Sequence, residues 1–174
     1  MKIIAFGGSN SQHSINKQLA TYAANLFENA EVEVLDLNDF AIPLFSVDLE
    51  KEIGKAEKAQ LFLDKIGTAD VLVISLAENN GNYSAAFKNL FDWSSRIAKD
   101  VFQQKPVLLM ATSPGPRGGA SVLEIAKNAF PRYGAQIKGT FSLPVFTSNF
   151  DLDKNQISNP EMDTTLKGLI KDSF

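Results

Sequence analysis

Between an apolar run, Ile3-Ile4-Ala5-Phe6, and a helix-spaced apolar set (Ile15, Leu19, Tyr22, Ala23, Leu26 and Phe27) lies a stretch whose groups suit an anion. Gly7-Gly8-Ser9-Asn10-Ser11-Gln12-His13-Ser14-Ile15-Asn16 carries three serines, two asparagines and one histidine, with no Lys or Arg before Lys17. A strand feeding a Gly/Ser loop and then a helix start converges backbone N–H groups on one point. The helix dipole favours negative charge there, and hydroxyls add donors.

The same residues exclude two common nucleotide loops. The lysine and neighbouring hydroxyl of a G-x-x-x-x-G-K-[ST] loop are missing. So is the third glycine of a dinucleotide-binding G-x-G-x-x-G. A single phosphate held by hydroxyls and amides fits what remains, and FMN is the natural candidate at the switch point of a flavodoxin-like sheet. The plainer alternative is that Ser14 is a helix N-cap and the glycines form a turn; from this loop alone both readings stand.

The elements that must position the loop alternate along the chain. Strands are expected at 3–6, 32–35, 71–74, 107–110 and 136–143, the third a continuous apolar run suited to burial on both faces. Helices are expected from Ile15, over 53–66 up to Gly67, over 84–96 and 120–130, and from Pro160 to about Lys171. Residues 36–52 and 149–159 read as irregular. Five strands alternating with helices imply an α/β doubly wound parallel sheet, flavodoxin-like with strand order 2-1-3-4-5, in a single domain over 1–174. Ligands of such sheets bind beyond the carboxyl ends of the strands, here loops 7–16, 36–50, 75–83, 112–119 and 144–159.

Composition narrows the chemistry. The 174 residues are 44% hydrophobic with net charge −3, enough for a sizeable core and without the basic footprint of a nucleic-acid binder. With no cysteine and a single histidine, thiol chemistry, a metal site and a Ser-His-Asp relay are not expected. Redox chemistry would have to come from a bound organic cofactor. Met1-Lys2 entering a strand leaves no room for a signal peptide, and no apolar run approaches membrane-spanning length, so a cytoplasmic protein without membrane contact is expected.

Two further loops complete the pattern. Ala77-Glu78-Asn79-Asn80-Gly81-Asn82-Tyr83-Ser84, followed by Ala85-Ala86-Phe87-Lys88-Asn89-Leu90-Phe91-Asp92-Trp93, resembles the P-E-Y-N-x-S-x-P-x-x-L-K-N-x-x-D-W segment of the NADPH-dependent FMN reductase family. Glu78, Asn80, Lys88, Asn89, Asp92 and Trp93 match it. The first loop resembles the family's G-S-x-R-x-x-S-x-N at Gly8, Ser9, Ser14 and Asn16. Ser113-Pro114-Gly115-Pro116-Arg117-Gly118-Gly119 resembles its S-x-G-x-x-G-G.

The resemblance implies an FMN-dependent NAD(P)H oxidoreductase working by ping-pong transfer. Hydride passes from NADPH or NADH to the flavin, and electrons then pass to a quinone, azo compound, metal oxyanion or free flavin. It implies that Ser9, Ser11, Ser14, Ile15 and Asn16 hold the phosphate, that Glu78, Asn79, Asn80, Gly81 and Asn82 line the ring and ribityl region, and that Ser113, Gly115, Arg117 and Gly118 lie at the pyrimidine edge. No protein residue need act as acid or base, and a homodimer or homotetramer is implied. Three departures stand out: Ser11 replaces an arginine, Asn79 replaces a tyrosine, and Ala77 and Ser84 replace prolines, which predicts a weaker phosphate grip, unless Lys17 or His13 compensates, and a looser loop. The alternatives are a non-enzymatic FMN electron carrier and, further off, an NAD-binding Rossmann domain.

Several side chains carry two readings. His13 suits phosphate but is more simply a solvated loop residue. Phe87, Leu90, Phe91 and Trp93 suit either a subunit contact or ordinary core. Arg117 suits either the 2′-phosphate of NADPH or open solvent. Asp36 is read as strand-end polarity, Phe146 and Phe150 as core, and Glu78 as no general acid, since no second carboxylate is placed to work with it.

Overall fold

A computed structural model describes all 174 residues. In chain order the elements are β1 (Lys2–Gly8), α1 (Ile15–Ala24), β2 (Glu31–Leu35), α2 (Val47–Ile53), α3 (Glu57–Gly67), β3 (Val71–Leu76), β4 (Glu78–Asn79), β5 (Asn82–Tyr83), α4 (Ala85–Ile97), β6 (Pro106–Thr112), α5 (Ala120–Ala129), β7 (Gln136–Leu143), α6 (Phe146–Asn149), β8 (Phe150–Asp151), β9 (Gln156–Ile157) and α7 (Pro160–Ser173). The five long strands form one parallel sheet in the order β2-β1-β3-β6-β7. Counting only those strands, this is the expected 2-1-3-4-5.

Strand alternation divides the core between the two faces of the sheet. Ile4 and Phe6 of β1 point to one face, where α3, α4 and α5 contribute Phe62, Phe87, Leu90, Trp93 and Val122. Ile3 and Ala5 point to the other, covered by α1 and α7 through Leu19, Ala23, Leu166 and Ile170. Phe87, Leu90, Phe91 and Trp93 are all buried, which makes them core. Phe146 and Phe150 are buried too, their rings stacked 4.7 Å apart.

Four stretches differ from the sequence-based expectation. The first strand does not stop at Phe6 but continues through Gly7 and Gly8, which pair with Ser75 and Leu76. Gly7 is needed because α1 starts against it: a Cβ there would lie 2.4 Å from the Lys17 main-chain nitrogen. Residues 36–52 are not wholly irregular. A 3-10 turn at Leu37–Phe40 is capped by Asp36, and α2 is capped by Ser46, whose hydroxyl accepts from the Leu49 N–H. Gly54, at φ 72°, ends α2, so the next helix begins at Glu57 rather than Ile53.

The 75–83 loop contains the β4–β5 hairpin, turned at Asn80 (φ 52°) and Gly81 (φ 76°). Two consecutive left-handed residues make a type I′ turn, for which Asn-Gly is the preferred pair. The expected 149–159 loop holds the small β8–β9 hairpin. No helix is long and apolar enough to cross a membrane.

Candidate functional site

Three loops meet where the strands β1, β3 and β6 end, and a buried asparagine joins them. Asn16, only 2% exposed, accepts through Oδ1 from the Ser75 hydroxyl (2.7 Å) and the Thr112 N–H (3.0 Å), and donates through Nδ2 to the Thr112 carbonyl (3.1 Å). The second position of α1 is thereby tied to the ends of β3 and β6. The Asn16 side chain is committed to the protein, while its main-chain N–H and that of Ile15 have no protein acceptor. They are the free donors a helix start presents. Ser14 caps that helix, accepting from the Lys17 N–H at 3.1 Å, and its own hydroxyl hydrogen remains available to a ligand. The capping and binding readings of Ser14 are therefore compatible.

The second loop is anchored at both ends. Ser84 caps α4 by accepting from the Phe87 N–H (3.2 Å) and donates to the Gly8 carbonyl (2.8 Å). Glu78 Oε2 accepts from the Val122 N–H (3.0 Å), capping α5 from a different loop. The expected loosening from Ala77 and Ser84 is thus countered by hydrogen bonds that a proline at 84 could not form. Tyr83, in the same hairpin, has a buried hydroxyl without a partner. Burial first, and neighbouring Tyr133 second, push its pKa up to about 12, which keeps it protonated at neutral pH.

The third loop is framed by the segment after β7. Val145 donates to the Gly115 carbonyl (3.0 Å) and Phe146 to the Ser113 carbonyl (3.1 Å). Ser142 Oγ donates to the Gly118 carbonyl (2.9 Å), an approach so close that a Cβ on Gly118 would meet Ser142 Oγ at 2.4 Å. Val145 itself sits at φ 44°, ψ 59°, a left-handed conformation strained for a β-branched residue.

Together the loops enclose a cavity of about 270 Å³ lined by Ser9, Ser11, His13, Ser14, Ile15, Asn16, Ala77, Glu78, Asn79, Thr112, Ser113 and Pro114. Eight of these were expected from sequence. Asn80, Gly81 and Asn82 lie instead in and beside the hairpin turn, and Gly115, Arg117 and Gly118 lie beyond the lining, with Arg117 bonded to Ser121 Oγ at 2.9 Å. Thr112 and Pro114 join the lining without having been expected there, as does Ala77, noted only for replacing a proline; Thr112 carries a readable signal, as a polar residue ending an apolar strand. A larger groove of about 720 Å³ lies at the opposite end of the sheet, lined by Met1, Phe27, Ile170 and Phe174 together with Asn25, Glu28, Lys167 and Lys171.

The charges near the cavity are mostly spoken for. Lys17 Nζ sits 2.6 Å from Asp36 Oδ2 and so is not free to replace the missing arginine. That contact, with the Asn38 N–H as a second donor, holds the Asp36 carboxyl below its ordinary range. In the helix behind the second loop, Asn89 accepts from the Phe45 N–H (2.8 Å) and donates to the Ile42 carbonyl (2.9 Å), while Trp93 Nε1 donates to the Pro43 carbonyl (2.9 Å). These matched residues dock the 42–45 segment, and Lys88 pairs with Asp92 at 2.6 Å on the outside.

The chain is similar to known proteins in sequence and in fold. The chain is 30% identical over 128 residues to the NADH-dependent flavin reductase subunit 2 of Lactobacillus johnsonii, a stretch covering 71% of this chain and 66% of that protein. It is 31% identical over 121 residues to a quinone reductase of Escherichia coli K12, covering 69% and 64%. With these two relatives the match thus spans slightly under two thirds of their length. Among solved structures, the flavoenzyme NAD(P)H:(acceptor) oxidoreductase FerB from Paracoccus denitrificans superimposes with a TM-score of 0.76 at 23% identity, over 98% of this chain and 93% of that one. An FMN-dependent NADH-azoreductase from Bacillus anthracis, in complex with FMN, gives 0.63 at 12% identity over 99% of each chain. At these identities the structural likeness speaks for the fold. Residues 1–147, which hold β1 through the strained Val145 and all three loops, match the NADPH-dependent FMN reductase family, and the chain belongs to it.

Proposed function

We propose that this chain is an NAD(P)H-dependent FMN oxidoreductase whose cofactor phosphate is held by the hydroxyls of Ser9, Ser11 and Ser14 and the main-chain N–H groups of Ile15 and Asn16. The observation that carries the reading is the convergence of these donors, two of them amides without a protein acceptor, on one small polar cavity at the carboxyl end of β1. The donor set fits a phosphomonoester. A cavity of about 270 Å³ suits the phosphate end, and Asn79, the 80–82 turn and the 113–118 loop would flank the ring outside it. The main-chain N–H groups of Gly115 and Arg117, also without protein acceptors, supply donors for the ring's pyrimidine edge.

Bound FMN supplies the hydride and electron chemistry, accepting from a reduced nicotinamide and delivering to a small-molecule acceptor. The protein binds, orients and frames. Its buried Asn16 ties the start of α1 to the ends of β3 and β6, Glu78 ties the second loop to the first turn of α5, and no side chain is asked to move a proton. The names of the relatives favour flavins and quinones as acceptors. Purified protein given FMN should bleach when NADPH or NADH is added without oxygen and recover its colour on addition of a quinone. Bound flavin that stays oxidised with both nicotinamides would overturn the reading.

We infer a homodimer as the working unit. Helix α2 buries none of its residues, and Leu44 (79% exposed), Val47 and Ile53 present apolar surface on that side. Light scattering should give twice the chain mass, and a Val47→Asp/Ile53→Asp double variant should shift it toward one.

A further inference from the structure

The cradle described above contains hydroxyls and amides but no permanent cation. Ser11 stands where the family resemblance expects arginine. Every nearby charge except one has an occupation elsewhere. Lys17, at the start of α1, is paired with Asp36 behind the loop at 2.6 Å. Glu78, from the second loop, has one carboxylate oxygen on the Val122 N–H. Arg117, from the third loop, is bonded to Ser121. His13 alone lines the cavity as a residue type that can carry positive charge, sharing the wall with Ser9, Ser11 and Ser14, and it is exposed.

We infer that His13 is the phosphate-recognising cation of this site, so that FMN is distinguished from unphosphorylated riboflavin by a charge that pH can remove. The inference rests on the flavin-binding reading. An imidazolium presents two N–H donors and a full charge to the phosphate, whereas neutral imidazole offers one donor and no charge. Histidine changes charge between about pH 5 and 8. An arginine in this place would be charged throughout. Glu78, the one acidic group on the wall, adds repulsion toward a phosphate and makes a compensating cation more valuable. The consequence is that His13 adds most to the grip on FMN in mildly acidic solution and little in alkaline solution.

The test compares dissociation constants of FMN and riboflavin, read by quenching of flavin fluorescence, at pH 5.5, 7.0 and 8.5 for the native protein, His13→Gln and His13→Lys. The phosphate gains its own second charge near pH 6, so each variant is compared with the native protein at the same pH. FMN should bind to the native protein about tenfold more tightly than to His13→Gln at pH 5.5, with the ratio falling toward one at pH 8.5. Riboflavin should show a ratio near one throughout. His13→Lys should keep tight FMN binding at all three values. An FMN ratio that does not change with pH would overturn the inference while leaving the flavin site intact. Failure of the native protein to bind either flavin would overturn the flavin reading and this inference together.

Discussion

The carboxylate of Glu78 accepts the main-chain N–H of Val122 at 3.0 Å across 44 positions of sequence. Gly119, the residue before α5, has no side chain with which to cap it, so the cap comes from the neighbouring loop. One ionised side chain thus couples the hairpin on one side of the cavity to the helix start on the other, with the anion at the positive end of the helix dipole. Glu78→Gln should keep a weaker neutral acceptor, and Glu78→Ala should lose the cap at a cost of about 1 kcal/mol. Amide hydrogen exchange at Val122 should accelerate in the alanine variant more than in the glutamine variant. Unchanged protection in both would show that the bond does not persist in solution.

Asn16 should be the least replaceable of the polar residues at the site. Asn16→Leu leaves the Ser75 hydroxyl and both main-chain groups of Thr112 buried without partners, at a cost of about 3 kcal/mol. For a chain of this size that lowers the melting temperature by roughly 6–12 °C. Asn16→Asp keeps the acceptor but turns a carboxylate toward the Thr112 carbonyl, and it should be destabilised as well. A melting temperature within 2 °C or so of native in both would contradict the hub assignment.

Ser9→Ala/Ser14→Ala should weaken FMN binding by roughly tenfold or more, since two donors leave the cradle. Losing the Ser14 cap adds about 1 kcal/mol of destabilisation. Equilibrium dialysis and thermal unfolding on the same sample separate the two effects. Ser11→Arg should work in the opposite direction and tighten FMN about tenfold while leaving riboflavin unchanged.

Gly7→Ala should destabilise the fold by about 1–3 kcal/mol or more, because the new methyl group meets the backbone of α1 rather than a yielding side chain. Urea unfolding at constant slope would measure it. A native midpoint would mean that α1 starts further from β1 than the 2.4 Å clearance indicates.

Acid should destabilise the protein through paired carboxylates. The hydrogen bond from Lys65 chiefly, and that from Lys2, hold Glu33 below its ordinary value, and Lys17 does the same for Asp36. A depressed folded-state value means that the stabilisation is complete above the unfolded-state range near pH 4 and is lost as pH falls through the folded-state values. Thermal midpoints should therefore fall on acidification below about pH 4. Asp36→Asn should show a shallower fall than the native protein. Parallel curves would assign the acid sensitivity elsewhere.

The sheet was legible because its signals are local and redundant: buried strands such as Val71-Leu72-Val73-Ile74 leave a continuous apolar run, and Ser14 and Ser84 mark helix starts. The place where the candidate loops meet was legible too, since the strand order alone makes β1, β3 and β6 neighbours whose carboxyl ends lie together. The Asn80-Gly81 pair carries a local turn signal, but its flanking strands are two residues each, too short to show an alternating pattern. What sequence could not show is which polar side chains face the cavity and which face the protein. Asn16 and Ser9 are both polar residues between β1 and the first turn of α1, yet Asn16 is spent on Ser75 and Thr112. That allocation depends on contacts 59 and 96 positions away, which no local pattern records.

The left-handed valine beside the third loop has an evolutionary consequence. Relaxing Val145 with glycine would remove strain and raise heat tolerance, while loosening the residue whose amide holds the Gly115 carbonyl. Selection for ruggedness and selection for a well-ordered cofactor frame therefore pull this single position in opposite directions.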